Sequence, residues 1–494
     1  MAAVNGCRQS NGTTLLKGAK IAASNGHHDN RVVPCEYTGY ISNDPSLTED
    51  DPLYTFKRLG RAVYVDINLD ALIHNTNLLR NQCRNKDIVT TRTDAVVAVL
   101  MLLAFVHFSS EVNKWNISHV VTQRSGVIAV LKGDAYGHGA EQVAHHLVNC
   151  RAVDRIAMAT VGEALQLRRS GIKCPIHVLG NLQSWEMQTC VLNGLIPTVS
   201  SKETIDGMGQ VLKNLKPKQR VVDSNSKYAN APPGAIHIKV DTGMGRNGCL
   251  PQQLPGLVQA CESNAVPLEG IFTHICFHED EEYSRHQLEL YDQLIAPYKD
   301  RNIFFHSSCS GPILLDMGTN YDFIRPGVAI YGMPPIAQID EFEAQGYRPA
   351  LTIKGTPTLV KCHPKGSKVG YACTYECQED EEWIAAFPLG FGDGFWRALG
   401  HERGCIIRDK TGERCPVVGR VSMDAITVRL PCQPDENETF TIITADFDPV
   451  TSVTGIADAM GTISNEVLIR FAPRLPRVFR NDLGHVLSIR DALG

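Results

Sequence analysis

No CxxC pair and no histidines at metal-ligand spacing accompany the sixteen cysteines, which are scattered from Cys7 to Cys432. That argues against both a structural zinc site and a disulfide scaffold, and the thiols read as free and mostly buried in an intracellular protein. No apolar run reaches the roughly 20 residues of a membrane span. The longest, residues 95–108 (AVVAVLMLLAFVHF), also lies too far along the chain for a signal peptide. Neither sign of charge dominates: 48 Lys and Arg face 53 Asp and Glu, for a net charge of −5. A nucleic-acid footprint and a polybasic membrane patch are both unsupported by that balance. Internal repeats are absent, and no GxGxxG follows a first strand, which disfavours a dinucleotide oxidoreductase. Residues 1–28 lack Asp and Glu and carry only Arg8, Lys17 and Lys20 as cations. An extension without fixed structure is the main reading there, with organelle targeting as the alternative to a cytoplasmic location.

The 494 residues present are enough for two or three domains. Residues 1–60 read as an extension. From residue 61 strand and helix signals alternate: AVYVDIN with a helix capped by Asn68 or Asp70, then GVIAVL, RIAMAT, IHVLG, IHIKVD and GIFTHI, most followed by helical periodicity. Alternation over this length predicts a parallel α/β sheet. Polar residues just after the strands favour a (β/α)8 TIM-type barrel over 61–345. After residue 346 short β-type runs broken by Gly, Pro and Asp predict a mainly β C-terminal domain over 346–494, with a short helix near residues 451–460. Residues 87–123 fit neither texture. They read either as a buried helix or as an inserted segment.

The chemistry concentrates first in residues 129–139, AVLKGDAYGHG. A lysine closing a buried strand is costly as an ammonium, and a desolvated lysine is suited to Schiff-base chemistry. A lone lysine at such a place more often simply reaches water. What distinguishes Lys132 is its company: Tyr136 four residues on, then the turn Gly137–His138–Gly139 before a helix.

This block resembles the cofactor-lysine motif of the alanine racemase family, and eight further blocks follow in the family's order. They are residues 236–248 (IHIKVDTGMGRNG), 272–274 (FTH), 306–310 (HSSCS), 324–332 (IRPGVAIYG), 369–375 (VGYACTY), 388–394 (PLGFGDG), 418–425 (VGRVSMDA) and 461–467 (GTISNEV). The resemblance implies a barrel that binds pyridoxal 5′-phosphate, a following β domain, and a homodimer with shared active sites. It implies that Lys132 carries the cofactor as a Schiff base. Tyr136, Ser310 and the backbone amides of Gly327 and Val328 match phosphate-holding positions, a task suited to fixed amide donors. His274 matches a residue beside the cofactor ring. Arg325 matches the residue facing the pyridine nitrogen, and His306 its positioning partner. A guanidinium cannot give up its proton, so the ring nitrogen beside it stays unprotonated and is a weaker electron sink.

Racemisation removes the Cα proton from one face and returns it on the other. By resemblance Lys132 serves one face, and Tyr371 from the partner subunit serves the other. An ordinary phenol, titrating at about pH 10, needs cationic neighbours for such a role. Arg246 and the amide of Met423, also from the partner, match contacts to the substrate carboxylate. Lys239 matches a lysine that can be carbamylated to orient that arginine; a lysine paired with a carboxylate is the alternative.

Two positions depart from the family pattern. Phe391 stands where Tyr is usual near the active-site entrance, and Asn465 stands where bacterial members carry Tyr near the phosphate and substrate. A small amide opens space and adds hydrogen-bonding capacity. The expected substrate is therefore alanine first, with serine or a broader range as the alternative. A decarboxylase of the same fold group is disfavoured by the Tyr371 and VSMDA blocks. A cofactor-binding homologue without catalysis is disfavoured by the intact Lys132 and Tyr371.

Overall fold

Eight parallel strands close into a barrel in the computed structural model, which describes residues 61–83, 125–215, 231–335 and 339–490. The expected extension over 1–60 and the segment 87–123 lie outside the described residues. The barrel strands are β2 (Gly126–Val130), β3 (Arg155–Met158), β4 (Ile176–Asn181), β5 (Leu195–Val199), β6 (Ile236–Lys239), β7 (Leu268–Phe272), β8 (Phe304–His306) and β9 (Phe323–Ile324), and β9 closes against β2. Their apolar character follows from burial on both faces, as in GVIAV and LIPTV, where every residue is buried. Helices cover the outside. Val161–Arg169, for example, starts from a reciprocal cap between Thr160 and Glu163.

The strand at the head of the described chain, β1 (Val63–Asn68), is not part of the barrel. It runs antiparallel to β10 (Leu351–Gly355) and parallel to β19 (Arg477–Arg480). Its alternation explains this: Val63, Val65 and Ile67 enter the main core, while Tyr64 and Asp66 face the other side. Such a strand suits a sheet with two unlike faces better than an all-apolar barrel wall. Asn68 then caps the helix Leu69–Gln82 through Oδ1, 3.0 Å from the Ala71 amide.

The second layer is a ten-stranded sheet. It is completed by β11 (Leu359–Pro364), β14 (Glu381–Phe387), β15 (Cys405–Arg408), β16 (Arg414–Val418), β17 (Ile426–Leu430), β18 (Phe440–Ile443) and β20 (Val486–Arg490), in the order β11-β14-β17-β16-β15-β18-β10-β1-β19-β20. The short strands Lys368–Val369 and Tyr375–Glu376 form a separate ribbon. The C-terminal half is mainly β, but it carries two helices, Val453–Met460 and Ser464–Arg470, and two strands after them. Fourteen cysteines among the described residues are free; only five are buried, fewer than their number led us to expect.

Candidate active site

Lys132 comes two residues after the end of β2, and the chain after it turns the wrong way round. Gly133, Asp134, Ala135 and Tyr136 all take positive φ, between 52 and 63°. Left-handed turns cost roughly 1–2 kcal/mol per residue with a Cβ, so this one must be held from outside. Asp134 provides the hold: its carboxylate accepts from the Ala140 amide at 2.8 Å and from Arg490 at 2.6 and 2.9 Å. Arg477, almost fully buried, reaches the Gly137 carbonyl at 2.8 Å from the other side. The turn leaves the Lys132 side chain in a cavity of about 740 Å³. The side chain is open to solvent through the cavity mouth, unlike the buried lysine expected from the strand; partial desolvation by the walls, then the nearby Arg246, lowers its pKa from the usual lysine range.

The chain after β9 brings backbone amides to Ser310 in the wall of the same cavity. The amides of Gly327 and Ala329 point at Ser310 Oγ, at 2.9 and 3.2 Å. Gly327 is required by close approach, since a Cβ there would lie 2.7 Å from Tyr136 Oη. Arg325, 3% exposed, enters from below. Its Nη1 donates to His306 Nδ1 at 2.6 Å, and its Nη2 donates to the Thr273 and Ser307 carbonyls at 2.8 Å and to His274 Nδ1 at 3.2 Å. Its Nε has no hydrogen-bond partner among the described residues, and the side chain lines the cavity. Burial brings its pKa down to about 10, so the guanidinium is still charged at neutral pH.

Lys239 ends β6 and is 5% exposed. No carboxylate of a described residue lies within ion-pair distance of it, which leaves the ordinary paired lysine without support. Burial, then Arg246 and Arg325, lowers its pKa to about 8. The following loop is drawn into shape by Asp241, whose Oδ1 accepts from the amides of Gly243, Met244 and Gly245 at 2.8–3.1 Å. That loop carries Arg246 to the cavity wall.

The cavity thus gathers Lys132, Tyr136, Lys239, Arg246, His274, Ser310, Arg325, Gly327, Val328 and Asn465, which come from five barrel strands or their loops and from the helix Ser464–Arg470. His306 stands behind Arg325 rather than in the wall. Tyr371 and Met423 do not reach this cavity: they are 69% and 58% exposed on the β domain, and Phe391 is exposed beside the Met423 loop, its amide on the Ser422 carbonyl. Sequence reading passed over Cys309, His278 and Glu279 in the wall, and His237, Glu269 and Arg155 beneath it. A charged residue inside an apolar strand, as in LEGIF, was the available signal for the last group.

Comparison with known proteins agrees with this geometry. The N-terminal domain of alanine racemase matches residues 113–335, and the C-terminal domain matches residues 350–479. The chain belongs to the alanine racemase family. Alanine racemase from Methanococcus maripaludis is 31% identical over 74% of this chain and 94% of its own length. That from Geobacillus kaustophilus is 30% identical over 77% and 94%. Among solved structures, alanine racemase from Bacillus anthracis with bound L-Ala-P superposes with a TM-score of 0.69 at 27% identity, covering 88% of this chain and 98% of that one. The family's barrel and β domain are the two layers described above.

Proposed function

We propose that the chain is a homodimeric racemase that interconverts L- and D-alanine with pyridoxal 5′-phosphate. The observation that carries this is one cavity holding a lysine, an amide-and-hydroxyl cradle, and an arginine with a free Nε. These residues fit the cofactor group by group. The amides of Gly327 and Val328 with Ser310 and Tyr136 would offer donors to its phosphate, His274 would lie beside its ring, Arg325 Nε would face its ring nitrogen, and Lys132 would be its covalent anchor. Bound there, it draws electron density from the substrate Cα–H bond. Arg325 has no acceptor to lend, so it keeps the ring nitrogen unprotonated.

The chain's own residues then move the proton. Lys132 Nζ removes it on one face, helped by the lowered pKa that partial desolvation imposes. Tyr371 of the partner subunit supplies a proton at Oη on the opposite face. Its high exposure in the isolated chain, shared by Met423, supports a role across a dimer interface. Arg246 and the partner's Met423 amide hold the carboxylate.

Lys239 is read as the carbamylated lysine. A neutral amine takes up carbon dioxide as R–NH2 + CO2 → R–NH–COO⁻ + H⁺. With a pKa of about 8, roughly a tenth of Lys239 is neutral at pH 7. The product places an anion where burial and two arginines make a cation unfavourable.

Asn465 in the cavity wall favours serine as a second substrate, because its amide can meet a hydroxyl where a larger ring would fill the space. The test is formation of D-alanine or D-serine from the L-amino acids with added cofactor. Wild type is expected to form D-product and Lys132→Ala to form none. No D-product from either amino acid, with the cofactor visibly bound, overturns the assignment.

A further inference from the structure

Barrel interiors are normally filled by branched apolar side chains. Below this cavity the core instead contains Arg155, His237, Glu269, His306 and Arg325, each no more than 6% exposed. They form one continuous line. Arg325 Nη1 is 2.6 Å from His306 Nδ1, and His306 Nε2 is 2.9 Å from His237 Nδ1. His237 Nε2 is 3.0 Å from Glu269 Oε2, and Arg155 grips both oxygens of Glu269 at 2.9 and 3.0 Å.

The protons on this line have one consistent arrangement. A guanidinium only donates, so His306 Nδ1 must accept, and its proton sits on Nε2. That proton points at His237, whose Nδ1 must therefore accept and whose proton also sits on Nε2. The last acceptor is Glu269, held as an anion by Arg155. A second proton on either imidazole would set two donors face to face. Burial agrees, since it pushes both histidines below their usual range. Arg155 Nη1 also approaches His177 Nε2 at 3.3 Å, which keeps that imidazole an acceptor on the far side of Glu269.

We propose that Glu269, through His237 and His306, fixes the direction of this hydrogen-bond line and so orients Arg325 from three hydrogen bonds away. Glu269 is a positioning residue for the reaction, a role that rests on Arg325 facing the cofactor as read above. The direction is demanded from both ends, by Arg325 donating to His306 and by Glu269 accepting from His237; losing the carboxylate charge removes the second demand, so that reversed arrangements become populated. His306 Nδ1 would then carry a proton against Arg325 Nη1, and the guanidinium would have to shift to escape it.

The direct test is the substitution Glu269→Gln, which keeps the shape. Its amide cannot accept from both Arg155 and His237 without presenting its NH2 group to one of them. Nitrogen-15 NMR of full-length protein labelled at histidine reads the tautomers, with or without cofactor. Wild type is expected to show neutral Nε2–H forms at both His237 and His306, and Glu269→Gln to lose them. In steady-state assays we expect kcat to fall about tenfold or more while KM for alanine stays within about twofold. The paired variant Arg155→Met, Glu269→Met removes both buried charges together and so protects the fold; it is expected to show the same loss. An Nδ1–H form at either histidine in wild type overturns the proposal. So does wild-type kcat in either variant. Failure of the racemase reading looks different: wild type would form no D-product while the histidine spectra still report the line.

Discussion

At the scale of single residues, two cations of the site, Lys239 and Arg325, are placed where water is scarce. Lys239 is the sharpest case, because burial and two arginines lower its pKa from 10.5 to about 8. A base with a lowered folded pKa binds fewer protons folded than unfolded between those two values, so stability should rise with pH from about 8 to 10.5. Below pH 8 the buried charge costs about 3 kcal/mol. In carbonate-free buffer, Lys239→Met should be more stable than wild type at pH 7, and the gap should shrink by pH 10. Urea unfolding at the two pH values measures it, and an equal gap at both would refute the effect. With carbon dioxide restored, carbon-13-labelled bicarbonate should give a carbamate signal in wild type that the variant lacks. Asn465 makes a second prediction at this scale. Asn465→Tyr should lower D-serine formation about tenfold relative to D-alanine, since a methylene or hydroxyl of pocket space is worth that order. An unchanged ratio would mean that Asn465 does not select the substrate. The cavity residues among these were legible because each sits in a short recognisable block, Lys239 at a strand end and Asn465 at the start of a helix. Glu269 and His237 were not, because a polar residue inside an apolar strand looks like an interruption until its partners on neighbouring strands are known.

Elements decide whether those residues meet. The left-handed turn after Lys132 is tied down by Asp134 to Arg490 on β20 and by the Gly137 carbonyl to Arg477 on β19. The last two strands among the described residues therefore brace a turn formed more than 300 residues earlier in sequence. Gly137 itself has φ of 81°, and a Cβ there would meet the Leu468 carbonyl at 2.4 Å. Gly137→Ala should cost about 2 kcal/mol or more, from the left-handed backbone and the forced displacement of the helix Ser464–Arg470. Arg477→Met should do more than destabilise: it leaves the carbonyls of Gly137, Phe471 and Leu475 without their donor. We expect it to release the cofactor faster than wild type, as followed by absorbance after gel filtration, at temperatures where circular dichroism still reports a folded chain. Cofactor retention equal to wild type would separate the brace from the site. Much of the strand and helix order in the barrel was readable from apolar runs such as IHIK and from the helical periodicity after them, whereas the cap between Thr160 and Glu163 came only with the structure. The strand β5 was passed over because its run LIPTV is broken by a proline, and the short strands β8 and β9 because three and two residues leave no periodicity. The placement of β1 in the other sheet depended on long-range pairing that alternation alone does not specify.

The whole molecule is where the two groups proposed to move the proton must be reconciled, because one chain does not bring them together. Lys132 lies in the cavity, whereas Tyr371 is exposed on the β domain and absent from that cavity's wall. If both act on one substrate, two copies must exchange faces, and a twofold dimer does this symmetrically, each β domain completing the other's barrel. Subunit mixing tests the arrangement. Lys132→Ala and Tyr371→Phe should each be nearly inactive as homodimers. Refolded together from equal amounts, half of the dimers are mixed, and each mixed dimer has one site with both Lys132 and Tyr371 intact. Activity should then return to about a quarter of wild type, by the counting that twofold symmetry imposes. A monomeric site predicts no recovery at any ratio, because neither chain ever holds both groups. Varying the ratio sharpens the outcome: recovery should peak at equal amounts and fall on either side, a profile that residual activity in one variant cannot imitate.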